Sequence, residues 1–217
     1  MQQHDGPSSH VRTWAAAVAA GLAMAAIVGC SGSRSPVGPQ AATASELALQ
    51  GDPTLGPQLA AVRDATSRFH DVSAATAAGY LNPDGRVCDQ IPTGTMGIHA
   101  PNLALQGTQT LDPLQPEVLL YLPKPGGGFR LVAVEYIQFV LLRNPATGVV
   151  APWTAMTPWP ANYQIVTPTP QLFGETFNGP MPGHVPGMPW HWDLHVWVWA
   201  NNPDGMFAQW NPSISCN

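Results

Sequence analysis

Trp190-His191-Trp192-Asp193-Leu194-His195-Val196-Trp197-Val198-Trp199 alternates large apolar and polar side chains with period two, and that pattern reads as a β-strand. Alternate residues of a strand share a face. One face therefore carries Trp190, Trp192, Leu194, Val196 and Val198 and is expected to be core. The other carries His191, Asp193, His195, Trp197 and Trp199. Two histidines four residues apart form a metal signature on a helix. On a strand, at about 3.3 Å per residue, their backbones lie roughly 13 Å apart, too far to share one ion. Asp193 and His195, about 7 Å apart on one face, are able to converge on one ion or substrate. His191 is expected at an outer position.

A second unusual group lies upstream, in Leu131-Val132-Ala133-Val134-Glu135-Tyr136-Ile137-Gln138-Phe139. Strand alternation puts Glu135 on one face with Leu131, Ala133, Ile137 and Phe139. A carboxylate on an apolar face must be paired, coordinated or protonated, because isolated burial is costly. The competing reading is an edge-strand glutamate that reaches solvent or is bonded to a backbone amide. If Glu135 and His195 occupy neighbouring strands they form a His–carboxylate pair. His99, expected in a loop over Met96 to Asn102, completes a two-histidine, one-carboxylate set suited to zinc, iron or copper. His184, in the loop Pro182-Gly183-His184-Val185-Pro186-Gly187, is placed to fold over the site, so His184, His191 and Asp193 are additional ligand candidates. For each histidine alone the competing reading is a hydrogen-bonded structural residue. His70 is expected to be a partly exposed helix histidine. Trp197 and Trp199 offer another possibility, an aromatic platform for an apolar-faced ligand, against the simpler reading of a core filled with large side chains. No Gly-x-Ser-x-Gly, phosphate loop or Cys–His nucleophile pattern is present.

Around these strands the chain reads as α+β: an N-terminal helix or helix pair packed on a mainly antiparallel sheet, with long Pro-rich loops. Helical spacing covers Pro57 to Tyr80, where Leu59, Val62, Thr66, Phe69, Val72 and Thr76 recur at three- and four-residue intervals. Asp71 suits the cap of a second short helix after a break near His70, and Gly79 suits the stop. Glu117 to Leu122 and Phe129 to Leu142 read as two strands of a hairpin joined by Pro125-Gly126-Gly127-Gly128. Ten prolines between Pro145 and Pro189 exclude a central strand there. Trp153, Trp159, Phe173 and Phe177 give that stretch enough to bury to be an ordered excursion, with edge strands near Tyr163–Val166.

Three segments divide the chain: residues 1–29 as a lipoprotein signal peptide, 30–55 as a flexible linker, and 56–217 as a single globular domain. Arg12 precedes an uncharged run from Trp14 to Val28, too short to span a bilayer and of the right length for a signal core. Ile27-Val28-Gly29-Cys30 then reads as a lipobox, with Cys30 the lipidated first residue of the mature chain; an uncleaved anchor is the alternative. Export predicts a cell-envelope, extracytoplasmic location, with the membrane as partner through the lipid anchor. It also allows a disulfide between the remaining pair, Cys88 and Cys216, although two buried free thiols would satisfy the same count. Thirteen acidic residues against eight basic ones give a net charge of −5. No basic stripe is visible, and nucleic acid is not an expected partner.

The segments Met96-Gly97-Ile98-His99, Leu111-Asp112-Pro113, Pro116-Glu117-Val118-Leu119-Leu120-Tyr121, Val134-Glu135-Tyr136, Leu194-His195-Val196-Trp197-Val198-Trp199 and Asn202-Pro203-Asp204-Gly205-Met206-Phe207 resemble an uncharacterised family of exported bacterial proteins. The likeness runs from about Val62 to Cys216 and implies a single secreted domain, with no activity attached. The leading functional expectation is a binding module with a His/carboxylate site for a transition metal or small ligand. The alternatives are a metal-dependent, hydrolase-like enzyme in which Glu135 or Asp193 acts as base on a metal-bound water, and a structural envelope protein without a ligand.

Overall fold

The computed structural model describes residues 54–217. The expected signal peptide, the lipidation site Cys30 and all but the last two residues of the expected linker lie outside them. Within the described residues the architecture is mainly antiparallel β with three short helices, in broad agreement with an α+β reading.

The chain opens with α1 (Leu55–Thr66), a 3-10 turn (Ser67–His70) and α2 (Val72–Ala77). Helix α1 starts two residues before the expected Pro57. The break falls at His70, and Asp71 caps α2 by accepting from the Ser73 backbone N–H at 2.8 Å. Gly79 then turns the chain at a φ of +96°, a conformation glycine adopts without a Cβ clash.

Eleven strands follow. β1 (Cys88–Ile91), β2 (Gly94–Pro101), β3 (Val118–Pro123), β4 (Phe129–Phe139), β10 (Asn178–Met181) and β11 (His191–Val196) form one six-stranded antiparallel sheet in the order β1-β2-β3-β4-β11-β10. Helix α3 (Leu103–Thr108) links β2 to β3. The expected hairpin is β3–β4. Its second strand is shorter than the sequence suggests: it stops at Phe139, and Val140 donates instead to the Trp190 carbonyl at 2.7 Å. β5 (Leu141–Arg143), β6 (Val150–Pro152) and β7 (Gln164–Ile165) make a small separate sheet, and β8 (Gln171–Leu172) pairs with β9 (Glu175–Thr176). The Pro-rich excursion is thus ordered around short ladders. Its aromatic residues find partners: Trp159 stands edge-on to Trp190 at 5.0 Å between ring centres, and Phe177 is buried.

Each face of the main sheet is covered, and the two buried clusters are distinct. The first joins Leu55, Leu59, Val62 and Phe69 to Ile98, Ala100, Leu119, Tyr121, Val134, Tyr136, Trp192, Leu194 and Val196. Polar ties cross it: Tyr121 Oη donates to the Phe69 carbonyl at 2.6 Å, and Arg63 Nε donates to the Val198 carbonyl at 2.7 Å. The second cluster contains Val118, Leu120, Leu122, Val132, Ala133, Ile137 and Trp197.

Two expectations about side-chain facing need correction, and with them the aromatic platform. A register shift sets Leu120 opposite Ala133 and Tyr121 opposite Leu131, leaving Val132 as the extra residue of a bulge. Leu131 consequently joins the first cluster and not the face of Glu135. The strand of the opening stretch ends at Val196, where Val198 N–H turns back to the Val196 carbonyl at 2.9 Å. Trp199 is thereby carried to the helical side, its Nε1 donating to Thr66 Oγ1 at 3.1 Å and its ring 4.4 Å from exposed His70. Trp197 stays on the histidine face but is buried, its Nε1 donating to the Ala208 carbonyl at 2.6 Å. The two tryptophans do not form an aromatic platform.

Candidate metal centre

The sheet register builds the site. His195 on β11 sits directly opposite Glu135 on β4, Glu135 opposite Val118 on β3, and Leu120, two residues along β3, opposite His99 on β2. Residues opposite one another across a sheet project to the same side. His99, Glu135 and His195 therefore project from three strands onto the face of the second cluster. His99 is a strand residue and not a loop residue: Met96, Gly97 and Ile98, expected as loop, run inside β2. Gly97 allows this, since its φ is +105° and a Cβ there would stand 2.8 Å from the Tyr121 carbonyl oxygen.

One donor atom from each of the three residues lies within 4.8 Å of the others, a grouping able to hold a metal ion. His99 Nε2 is 3.6 Å from Glu135 Oε2, and His195 Nε2 is 4.0 Å from Glu135 Oε1. These are gaps wider than a hydrogen bond. Both histidines present Nε2 to the glutamate and Nδ1 to another carboxylate. His99 Nδ1 is 2.9 Å from Asp89 Oδ2, off the line of a good hydrogen bond, and His195 Nδ1 is 4.0 Å from Asp193 Oδ2. A carboxylate behind the ring is the usual companion of a metal-ligating histidine. Asp89 is the residue the sequence reading missed. It occupies the strand that Cys88 starts, and its only sequence signal is adjacency to that cysteine.

His191, Asp193 and His184 form a second grouping with the same 4.8 Å limit. His191 and Asp193 alternate with His195 along β11 and are fully buried, so His191 is not the outer residue that strand spacing suggests. Met181 on β10 pairs with His191, and the Pro182–Gly187 loop lies over it. His184, exposed on that loop, brings its ring within 5.0 Å of His191 and 6.5 Å of His99.

Burial dominates the electrostatics. It pushes the Glu135 carboxyl above its ordinary range, partly opposed by the charge of His99. It pushes His195 well below, helped by the neighbouring histidines, and His191 down to about 4. Burial would also lower His99, but the charges of Glu135 and Asp89 outweigh it and the net direction is upward. Asp193 is raised by burial, with Gln209 and Asn178 opposing. A cavity of about 1000 Å³ opens against this face, reaching His99, Glu135 and His184 and walled by Arg86, Ile137 and Met188 among others. Cys88 and Cys216 are joined in a disulfide, so neither is a metal ligand.

No family of known proteins, no curated protein and no solved structure matches the chain.

Proposed function

We propose that the protein is an exported metal-binding module whose primary site is His99, Glu135 and His195. One observation carries this reading. Although buried, His99 Nε2, Glu135 Oε2 and His195 Nε2 have no hydrogen-bond partner. A buried polar group left unsatisfied costs about 1–3 kcal/mol, more if charged. Clustering several of them on one sheet face, all directed at one point, is hard to reconcile with a purely structural role. A divalent ion satisfies all of them together, and two imidazoles with one carboxylate suit zinc, iron(II) or copper(II). The apolar shell of Val118, Leu120 and Ile137 supplies the dry surroundings that strengthen such bonds.

A second reading, a metal-dependent enzyme of hydrolase type, draws on the cavity against His99 and Glu135, which leaves room for a further ligand or a substrate. Export and lipid anchoring at Cys30 complete the proposal, supported by the lipobox of the sequence and by a disulfide that suits an oxidising compartment. Among the described residues no helix is long and apolar enough to cross a membrane.

The test is metal analysis of the full-length chain purified from the cell envelope without chelators. Stoichiometric transition metal, lost when His99 and His195 are both changed to alanine, is the expected result. Wild-type protein without metal, or metal unaffected by the double change, overturns the reading. Radiolabelled palmitate should enter the wild-type chain and not the Cys30→Ser variant; equal labelling overturns the anchor.

A further inference from the structure

We infer that His184, His191 and Asp193 hold a second metal ion beside the first, making the face of β11 and its covering loop a two-ion centre. This rests on the metal reading of His99, Glu135 and His195, and goes beyond it in the number of ions and in the role of the Pro182–Gly187 loop.

The donors close into two sets of three and not one set of six. Strand geometry explains why. His191 and His195 are four residues apart on the unbroken strand β11, so their backbones are roughly 13 Å apart and their rings attend to different points. The second set has its own unsatisfied atoms. His191 is fully buried, with Nδ1 3.1 Å from the Pro189 carbonyl oxygen. A carbonyl only accepts, so Nδ1 carries the proton and Nε2 is left as a lone pair. That Nε2 has no partner. The backbone carbonyl plays the same orienting part that a carboxylate plays behind other metal-bound imidazoles. Asp193 is also fully buried. Its Oδ2 takes Gln209 Nε2 at 3.4 Å and faces His195 Nδ1 at 4.0 Å, while Oδ1 has no partner. Asp193 thus backs a ligand of the first ion with one oxygen and offers the other to the second.

His184 supplies the third donor and the access route. The loop reaches inward because residue 183 is glycine: a Cβ there would meet the Met188 carbonyl oxygen at 2.2 Å. Being exposed, His184 can leave and return, so an ion can enter without opening the sheet. Charge is in keeping with two dications: Glu135, Asp193 and Asp89 place three carboxylates around the pair. Two imidazoles and a carboxylate again specify a borderline transition metal rather than calcium or magnesium, which prefer oxygen ligands.

The experiment counts ions. Full-length wild-type chain and variants are loaded with Zn²⁺, desalted, and assayed for zinc per chain, with circular dichroism to verify folding. Two ions are expected in wild type. One is expected in His191→Ala, in His184→Ala, and in the His99→Ala/His195→Ala pair. The His184 substitution removes an exposed side chain, so it remains informative if His191→Ala fails to fold. A single wild-type ion that survives the His184 and His191 changes, but not the His99/His195 change, overturns the second site and leaves the first standing. A single wild-type ion that disappears in every variant identifies one shared site and also overturns the inference. No zinc in any protein overturns both readings.

Discussion

Glu117 shows how far burial alone can move a residue in this protein. It is almost fully buried just before β3, with Oε2 accepting the Ile137 backbone N–H at 3.2 Å. Burial pushes its carboxyl up to about 7. The folded state thus holds a proton that the unfolded state has already released between about pH 4.5 and 7. Unfolding then releases a proton, and stability falls as pH rises through that window and levels off above it. Glu117→Gln keeps the shape and an acceptor oxygen while removing the charge. We expect it to raise stability at pH 8 by on the order of 1–3 kcal/mol and to change little at pH 4, as read from urea denaturation at the two values. Asp89 yields a prediction of a different kind. Its carboxylate lies behind His99 and is held below its ordinary pKa chiefly by that histidine. Asp89→Asn should weaken metal binding at the first site by about 10–100-fold without abolishing it, the usual effect of removing an outer carboxylate. Competition against a chromophoric chelator measures this, and unchanged affinity would show that Asp89 does not support the ligand.

At the scale of elements, β11 and the loop before it decide most of the site. The alternation in the opening stretch correctly separates Trp192, Leu194 and Val196 from His191, Asp193 and His195, because strand alternation is a local property of the backbone. It misleads beyond Val196, where the turn at Val198 reverses the facing of Trp199. The same holds in β4, where the bulge at Val132 sends Leu131 to the other side. A break in strict alternation reverses the facing of residues on one side of it relative to those on the other, and nothing in either stretch marks where the break occurs. His99 was legible as a candidate but not as a strand residue, since Gly97 looks like a loop glycine until its close approach to Tyr121 is known. The loop makes its own prediction. Gly183→Ala should displace His184 and lower zinc from two ions to one while leaving the His99–Glu135–His195 ion in place. Two ions retained would mean that the loop does not need this close approach.

For the molecule as a whole, the bond between Cys88 and Cys216 is a covalent tie across a sequence separation of 128. It joins edge strand β1 to the C-terminal tail, which also leans on the sheet through the Thr95–Asn211 bridge and the hydrogen bond from Cys216 N–H to Gln90 Oε1 at 2.8 Å. Removing a native disulfide from a small secreted domain typically costs about 2–5 kcal/mol. Cys88→Ala/Cys216→Ala should lose stability in that range by chemical denaturation. Because Asp89 is the next residue, the double variant should also lose metal affinity at the first site more than at the second. Equal loss at both sites would point to general loosening instead.

The amino-acid sequence was enough to name the candidate metal ligands, the core-facing side of β11, the helix break near His70 and the Cys88/Cys216 pair. Those are properties of residue type and of neighbours a few positions away. Which candidates meet depends on the fold. His99, Glu135 and His195 come together because β2, β3, β4 and β11 lie side by side in one register. His184 and His191 join Asp193 because a loop folds back on its own strand. Strand order and register depend on contacts between residues distant in the chain, and alternation along any one strand carries no information about its neighbour. That is why Asp89 was invisible, and why one expected site resolves into two groups of donors.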